Sequence, residues 1–333
     1  MFRNILLALI FVLLIAAAAL AVVKHQSDKH FYEGYSPDYP LNAKEEPPEP
    51  VTDSVEAFGE MLPARYTRQQ FVFDSTPGER VPALLTLPLD HKEAAPPLPA
   101  IILVHGSHQE KEFLEQISTP FNEAGFAMVC FDQYMRGGRK AEKGVLGAAF
   151  AFRDRCRKTV HEIQRMIDYL ETRPEIDSSR IYLIGASYGA ITGAVAVARD
   201  KRIRAAALVV GGGNFSLLAK APEVREAIPT WLHPLTAPMM KLLAGPADPI
   251  HHAAQTAGTP ILMLNGSKDG VVSPEAGKAL YVVLGEPKEI RWYPVNHPDR
   301  EENGKEVLRM LSDGLAWMVE QDAAFRGGEQ PPS

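Results

Sequence analysis

Cysteine, excess positive charge and metal-binding patterns are all scarce in this chain, and each shortage removes a class of protein. Only Cys130 and Cys156 occur in 333 residues, too few for a disulfide-built scaffold. Neither stands at metal-ligand spacing from another cysteine or histidine. Cys130 falls in an apolar strand pattern, and Cys156 opens an apolar helical stripe with Val160, Ile163 and Ile167, so both read as buried thiols, with a disulfide between them as the alternative in an oxidising compartment. Lys and Arg number 35 against 41 Asp and Glu, a net charge of −6, which leaves no basic stripe for nucleic acid. No cysteine follows the apolar N-terminus, which excludes a bacterial lipoprotein anchor at that place. His251 and His252 are neighbours in sequence, and neighbours on a helix face different ways, so they read as solvated or lid histidines and not as a metal pair. No metal or cofactor is expected.

The long hydrophobic run lies at the N-terminus. Ile5 to Val23 is unbroken by any polar residue and is flanked by Arg3 and Lys24. A core helix of that length would show a polar face; a signal anchor or signal peptide would not. The length favours an uncleaved anchor, and Ala19-Leu20-Ala21 has the look of a cleavage site. Either carries the rest of the chain out of the cytoplasm, as a single-pass membrane protein or a periplasmic or secreted one. Residues 24–65 include Lys44-Glu45-Glu46-Pro47-Pro48-Glu49-Pro50 and read as an extended Pro/Glu-rich linker. Residues 326–333 read as a disordered tail, leaving 66–325 as the folded body.

Within that body, strands and helices alternate. Strand patterns fall at Gln69–Asp74, Val81–Leu87, Ile101–Val104, Phe126–Asp132, Ile181–Ile184, Ala205–Val210, Ile261–Asn265 and Glu289–Tyr293. Helical patterns fall at Glu112–Ala124, Arg153–Thr172, after Ser187, Pro274–Val283 and Lys305–Glu320. Such alternation predicts an α/β fold with a mostly parallel central sheet covered by helices on both faces. Right-handed crossovers then bring the C-terminal ends of the parallel strands to one edge, where sites form. Residues 211–258 interrupt the alternation without a clear strand and read as a lid over that edge. Trp231, Met239 and Met240 within it would suit an apolar acyl chain or pack the lid on the body.

The most informative segment is Ile181-Tyr182-Leu183-Ile184-Gly185-Ala186-Ser187-Tyr188-Gly189-Ala190. An apolar strand runs into Gly-x-Ser-x-Gly, and small residues follow at helical density. This is the strand, sharp turn and helix that thrust a serine outward as a nucleophile. A serine needs a base, and the base an orienting acid. Asn265-Gly266-Ser267-Lys268-Asp269 places an acid just past a strand, and Asn296-His297 places a histidine just past the next. Ser187, Asp269 and His297 therefore stand in the order Ser, Asp, His, each beyond a strand end. The backbone N–H groups of Tyr188 and of Ser107, after His105-Gly106, are the expected oxyanion donors. His105 reads as a brace for that loop. Arg136 and Arg139 follow another strand end, where they could meet an anionic substrate or lie in a solvated loop.

On Leu103-Val104-His105-Gly106-Ser107, Gly185-Ala186-Ser187-Tyr188-Gly189, Asn265-Gly266-Ser267-Lys268-Asp269 and Asn296-His297, with Asp248-Pro249 in support, the chain resembles an α/β-hydrolase of the serine esterase type. It is similar to the dienelactone-hydrolase, acetyl-xylan-esterase and prolyl-oligopeptidase-like branches. Dienelactone hydrolases proper carry a cysteine where this chain has Ser187. The resemblance implies a small-molecule ester substrate and an acyl-enzyme intermediate. A prolyl-oligopeptidase-like peptidase, an acyltransferase and a non-enzymatic binding scaffold are the alternatives. Fewer than 70 residues precede the body, which leaves no room for the propeller of the peptidases.

Overall fold

The computed structural model describes residues 22, 24–92, 94–139, 145–226, 228–298 and 304–328. The chain forms two units, residues 1–34 and 35–333. The run Ile5–Val23 lies outside the described residues, Val22 apart. Among the described residues no helix is long and apolar enough to cross a membrane. In the first unit, Lys24 pairs with Asp28 one helical turn on.

The second unit is built on one sheet. Its strands are β1 (Lys44–Glu45), β2 (Glu49–Val51), β5 (Tyr66–Thr76), β6 (Glu79–Pro88), β7 (Leu98–Val104), β8 (Ala127–Phe131), β9 (Ile176–Ala186), β10 (Ile203–Val209), β11 (Ile261–Gly266) and β12 (Lys288–Tyr293). The spatial order is β1-β5-β6-β8-β7-β9-β10-β11-β12, with β2 also on β5. From β8 to β12 every pairing is parallel; β5, β6 and β8 pair antiparallel. The expected α/β architecture is the one found. The parallel strands are buried on both sides, so they carry unbroken apolar runs such as Ile101-Ile102-Leu103-Val104 and Ile261-Leu262-Met263-Leu264.

The helices are α1 (Ser118–Glu123), α2 (Val145–Leu170), α3 (Tyr188–Arg199), α4 (Phe215–Leu218), α5 (Pro222–Glu226), α6 (His233–Ala244), α7 (Pro274–Val283) and α8 (Gly304–Gly327). On one face Met310, Trp317 and Met318 of α8 join Tyr182, Leu262 and Leu264 in one buried cluster. On the other, α3 lies so close that a Cβ on Gly193 would sit 2.8 Å from the Leu183 side chain. The helix expected over Glu112–Ala124 is broken at Ile117 into a 3₁₀ turn, Lys111–Gln116, and α1. Pro120 has no N–H to give to a carbonyl four residues back, which favours a break at this point.

Residues 35–63 differ most from expectation, for they are not an extended linker. β1 and β2 extend the sheet at β5, and β3 (Ser54–Ala57) forms a hairpin with β4 (Glu60–Pro63). Tyr35 Oη donates to Asp168 at 2.7 Å, Tyr169 Oη donates to Glu45 at 2.8 Å, and Arg165 Nη1 donates to the Pro37 carbonyl at 3.1 Å. Polar side chains on α2 thus fasten this strap to the body. The C-terminal tail from residue 329 lies outside the described residues.

Cys130 and Cys156 are buried free thiols, and burial pushes Cys156 up to about 12. A buried acid nearby has a measurable consequence. Glu162 pairs with Arg139 at 2.6 Å, and Arg139 and Lys158 both pair with Glu79. Burial pushes the Glu162 carboxyl up to about 7. The folded chain therefore holds a proton there that the unfolded chain releases near 4.5. The associated stability is complete below that value and is lost as pH rises to about 7. Glu162→Gln is expected to remove this loss. Between pH 5 and 8 the melting temperature of wild type should fall by several degrees more than that of the variant.

Candidate active site

β7, β9, β11 and β12 run parallel, so their C-terminal ends share one edge of the sheet. The residues singled out in the sequence follow those ends. Ser187 comes between β9 and α3 with φ +53° and ψ −113°, a backbone state that costs about 1–3 kcal/mol for a residue with a Cβ. The surrounding structure imposes it. Ser187 N–H donates to the Val209 carbonyl at 2.8 Å, while its own carbonyl accepts from Ala190 and Ile191 N–H at 2.9 and 3.1 Å.

The two motif glycines have steric reasons. A Cβ on Gly185 would lie 2.4 Å from the Gly189 oxygen, and one on Gly189 would lie 1.8 Å from the Val104 oxygen. No side chain can yield in the second case, because the obstacle is the backbone of a core strand. Gly189→Ala is expected to cost about 3 kcal/mol or more, against about 1 kcal/mol for Gly193→Ala, which presses only on the end of Leu183. Thermal melts of the two variants compare these costs.

Ser187 Oγ lies 3.0 Å from His297 Nε2, and His297 Nδ1 lies 2.7 Å from Asp269 Oδ2. A carboxylate only accepts, so the Nδ1 proton is on the imidazole and Nε2 is free to accept from the serine hydroxyl. The other Asp269 oxygen accepts the Val271 and Val272 N–H groups, both at 2.8 Å. The acid side chain is 1 % exposed and the histidine 21 %, so the acid is sealed while the imidazole still reaches the open edge. Gly266 permits the approach of these loops: a Cβ there would lie 2.7 Å from the Val295 oxygen. Ser267 and Lys268 N–H donate to the Tyr293 and Val295 carbonyls at 2.7 and 3.1 Å, joining the acid loop to the histidine loop.

The loop after β7 adjoins the serine; a Cβ on Gly106 would stand 3.7 Å from Ser187 Cβ. Gly106 N–H donates to Gln109 Oε1 at 3.1 Å. The Ser107 and Tyr188 N–H groups have no acceptor among the described residues. His105 Nδ1–H donates to the Gly106 carbonyl at 2.8 Å, and burial pushes this imidazole down to about 4, so it is a neutral brace.

The arginines are occupied with structure. Arg136 Nε donates to the Ser107 carbonyl and Nη1 to the Met135 carbonyl. Arg139 is held by Glu162, Glu79 and the Asp132 carbonyl. Gln133, which sequence reasoning passed over, donates to the His105 carbonyl, and Arg155, passed over as well, donates to Gln133. Asp248 accepts the Asn214 and Phe215 N–H groups at 2.9 and 2.6 Å, tying down the segment after β10. His252 Nε2 donates to the Pro246 carbonyl at 2.9 Å. Residues 211–258 form α4, α5, α6 and 3₁₀ turns. They join the acid loop where Glu223 N–H donates to the Gly270 carbonyl at 3.1 Å. Trp231 is 73 % exposed and packs little of this segment on the body, whereas Met239, at 44 %, and Met240 are partly covered.

A sheet of this order, with the serine on the turn after its central parallel strand and acid and histidine on the last two loops, defines an α/β-hydrolase. An acetyl xylan esterase from Paenibacillus sp. R4 has the same fold, with a TM-score of 0.64 at 19 % identity over 86 % of this chain and 92 % of that one. Esterase YjfP of Escherichia coli (strain K12) is 24 % identical over 211 residues, 62 % of this chain and 82 % of that protein. YitV of Bacillus subtilis (strain 168) is 30 % identical over 118 residues. That match spans 46 % of the Bacillus protein, about half its length. Residues 85–306, more than half of the chain, match the dienelactone hydrolase family. The chain belongs to that family and is a hydrolytic enzyme of the esterase type.

Proposed function

We propose that the enzyme cleaves carboxylic esters of small molecules through an acyl-enzyme formed on Ser187. The reading is carried by one observation, the chain Ser187 Oγ to His297 Nε2 at 3.0 Å and His297 Nδ1 to Asp269 at 2.7 Å. His297 takes the serine proton as Oγ attacks the acyl carbon, then returns it to the leaving alcohol. Asp269 holds the tautomer and stabilises the imidazolium. The N–H groups of Tyr188 and Ser107 receive the oxyanion. Water, activated by the same histidine, releases the acid. The run Ile5–Val23, as anchor or signal, would set this chemistry outside the cytoplasm; protease accessibility of the body in intact cells tests that placement.

The test of the chemistry is a fluorophosphonate probe on the full chain, followed by peptide mapping, with p-nitrophenyl acetate turnover alongside. Modification at Ser187 with matching loss of turnover is the expected result. Folded protein that neither labels nor turns over the ester overturns the reading.

A further inference from the structure

Arg155 on α2 is 4 % exposed, and its surroundings are unusual for a buried cation. No carboxylate pairs with it among the described residues, and its Nε has no hydrogen-bond partner. Its Nη2 donates to Gln133 Oε1 at 2.7 Å, and Gln133 Nε2 donates to the His105 carbonyl at 2.7 Å. On its other side the guanidinium carbon stands 3.7 Å from the centre of the Tyr188 ring. One side chain therefore touches the loop that carries Ser107 N–H, through Gln133, and the residue that carries the second N–H, directly.

Burying a guanidinium without a carboxylate is unfavourable, and an apolar side chain of similar volume would usually serve stability better. Peptide planes are rigid, so a donor fixed on the His105 carbonyl fixes the plane before Gly106. His105 Nδ1, on the Gly106 carbonyl, fixes the plane that bears Ser107 N–H. A buried positive charge against the Tyr188 ring, and one side chain away from the loop of Ser107, favours an oxyanion more than a neutral carbonyl.

We infer that Arg155 is a positioning residue of the oxyanion hole, holding its two halves in register and biasing the site electrostatically toward the tetrahedral intermediate. The inference rests on the esterase reading of the site. If it holds, Arg155→Met, measured per titrated active site on p-nitrophenyl acetate, loses about 10²-fold in kcat with KM changed less than threefold. Affinity for an aryl trifluoromethyl ketone, which forms a tetrahedral adduct, falls by the same factor while the melting temperature holds or rises. Arg155→Lys, which keeps the charge, recovers at least a tenfold share of the loss. Gln133→Leu cuts only the loop half and loses about tenfold in both readouts, which decides the matter should Arg155→Met not fold. A variant Arg155→Met within threefold of wild type, a loss confined to KM, or Arg155→Lys as slow as Arg155→Met overturns the inference while wild type stays active. Inactive wild type would instead overturn the esterase reading.

Discussion

Ser187→Ala is expected to lower kcat on p-nitrophenyl acetate by about 10⁶-fold and to leave the fold intact. Alanine has no Oγ to attack the ester, so His297 has no proton to take. The residual rate over water then comes from the oxyanion donors and from substrate binding. Loss of folding does not enter, because among the described residues the hydroxyl hydrogen-bonds to His297 alone. The strained turn is held by backbone bonds, Ser187 N–H to Val209 and Ala190 and Ile191 N–H to Ser187, and alanine keeps all three. A melting temperature within about 2 °C of wild type is therefore expected beside the lost turnover, on the scale where 1 kcal/mol moves a large domain by a few degrees. An alanine variant that kept a hundredth of the rate would place the nucleophile elsewhere.

What could be read from the chain was whatever depends on neighbours in sequence. The turn at Ser187 is written in Gly185 and Gly189, two residues either side, and the parallel strands in short apolar runs that both helix layers must cover. The acid and the histidine could be ordered because each follows such a run. What resisted reading depends on partners far along the chain. Gly266 looks like any turn glycine until the Val295 carbonyl is found against it. Arg136 and Arg139 look like substrate ligands until the Ser107 carbonyl, Glu79 and Glu162 are found around them. The strap over residues 35–63 escaped because its strands are two to four residues long, too short for an alternating pattern to show. Arg155 escaped because it sits in a long amphipathic helix, where an arginine is ordinarily solvated. Its partners come from the loop after β8 and the start of α3.

Asp269→Asn is expected to cost about 10⁴-fold in kcat with little change in KM, and the surroundings of the carboxylate say why. Oδ1 accepts two backbone N–H groups, from Val271 and Val272. An asparagine in this place must keep its one oxygen on that side, because turning its NH₂ toward two donors would leave all of them unpaired in a buried pocket. The NH₂ then faces His297 Nδ1, the position that Oδ2 occupies at 2.7 Å. A donor there forces the imidazole to accept at Nδ1 and to carry its proton on Nε2. That proton points at Ser187 Oγ, 3.0 Å away, and an imidazole in this state cannot take the serine proton. The geometry is preserved and the tautomer is wrong. Asp269→Ala, which removes the donor as well as the acceptor, leaves the tautomer free, so its loss should be smaller than that of the nearly isosteric asparagine. Steady-state rates of the two variants, with melts to show that both fold, test this ordering. An alanine variant slower than the asparagine variant would mean that Asp269 acts through its charge on the imidazolium rather than through the tautomer.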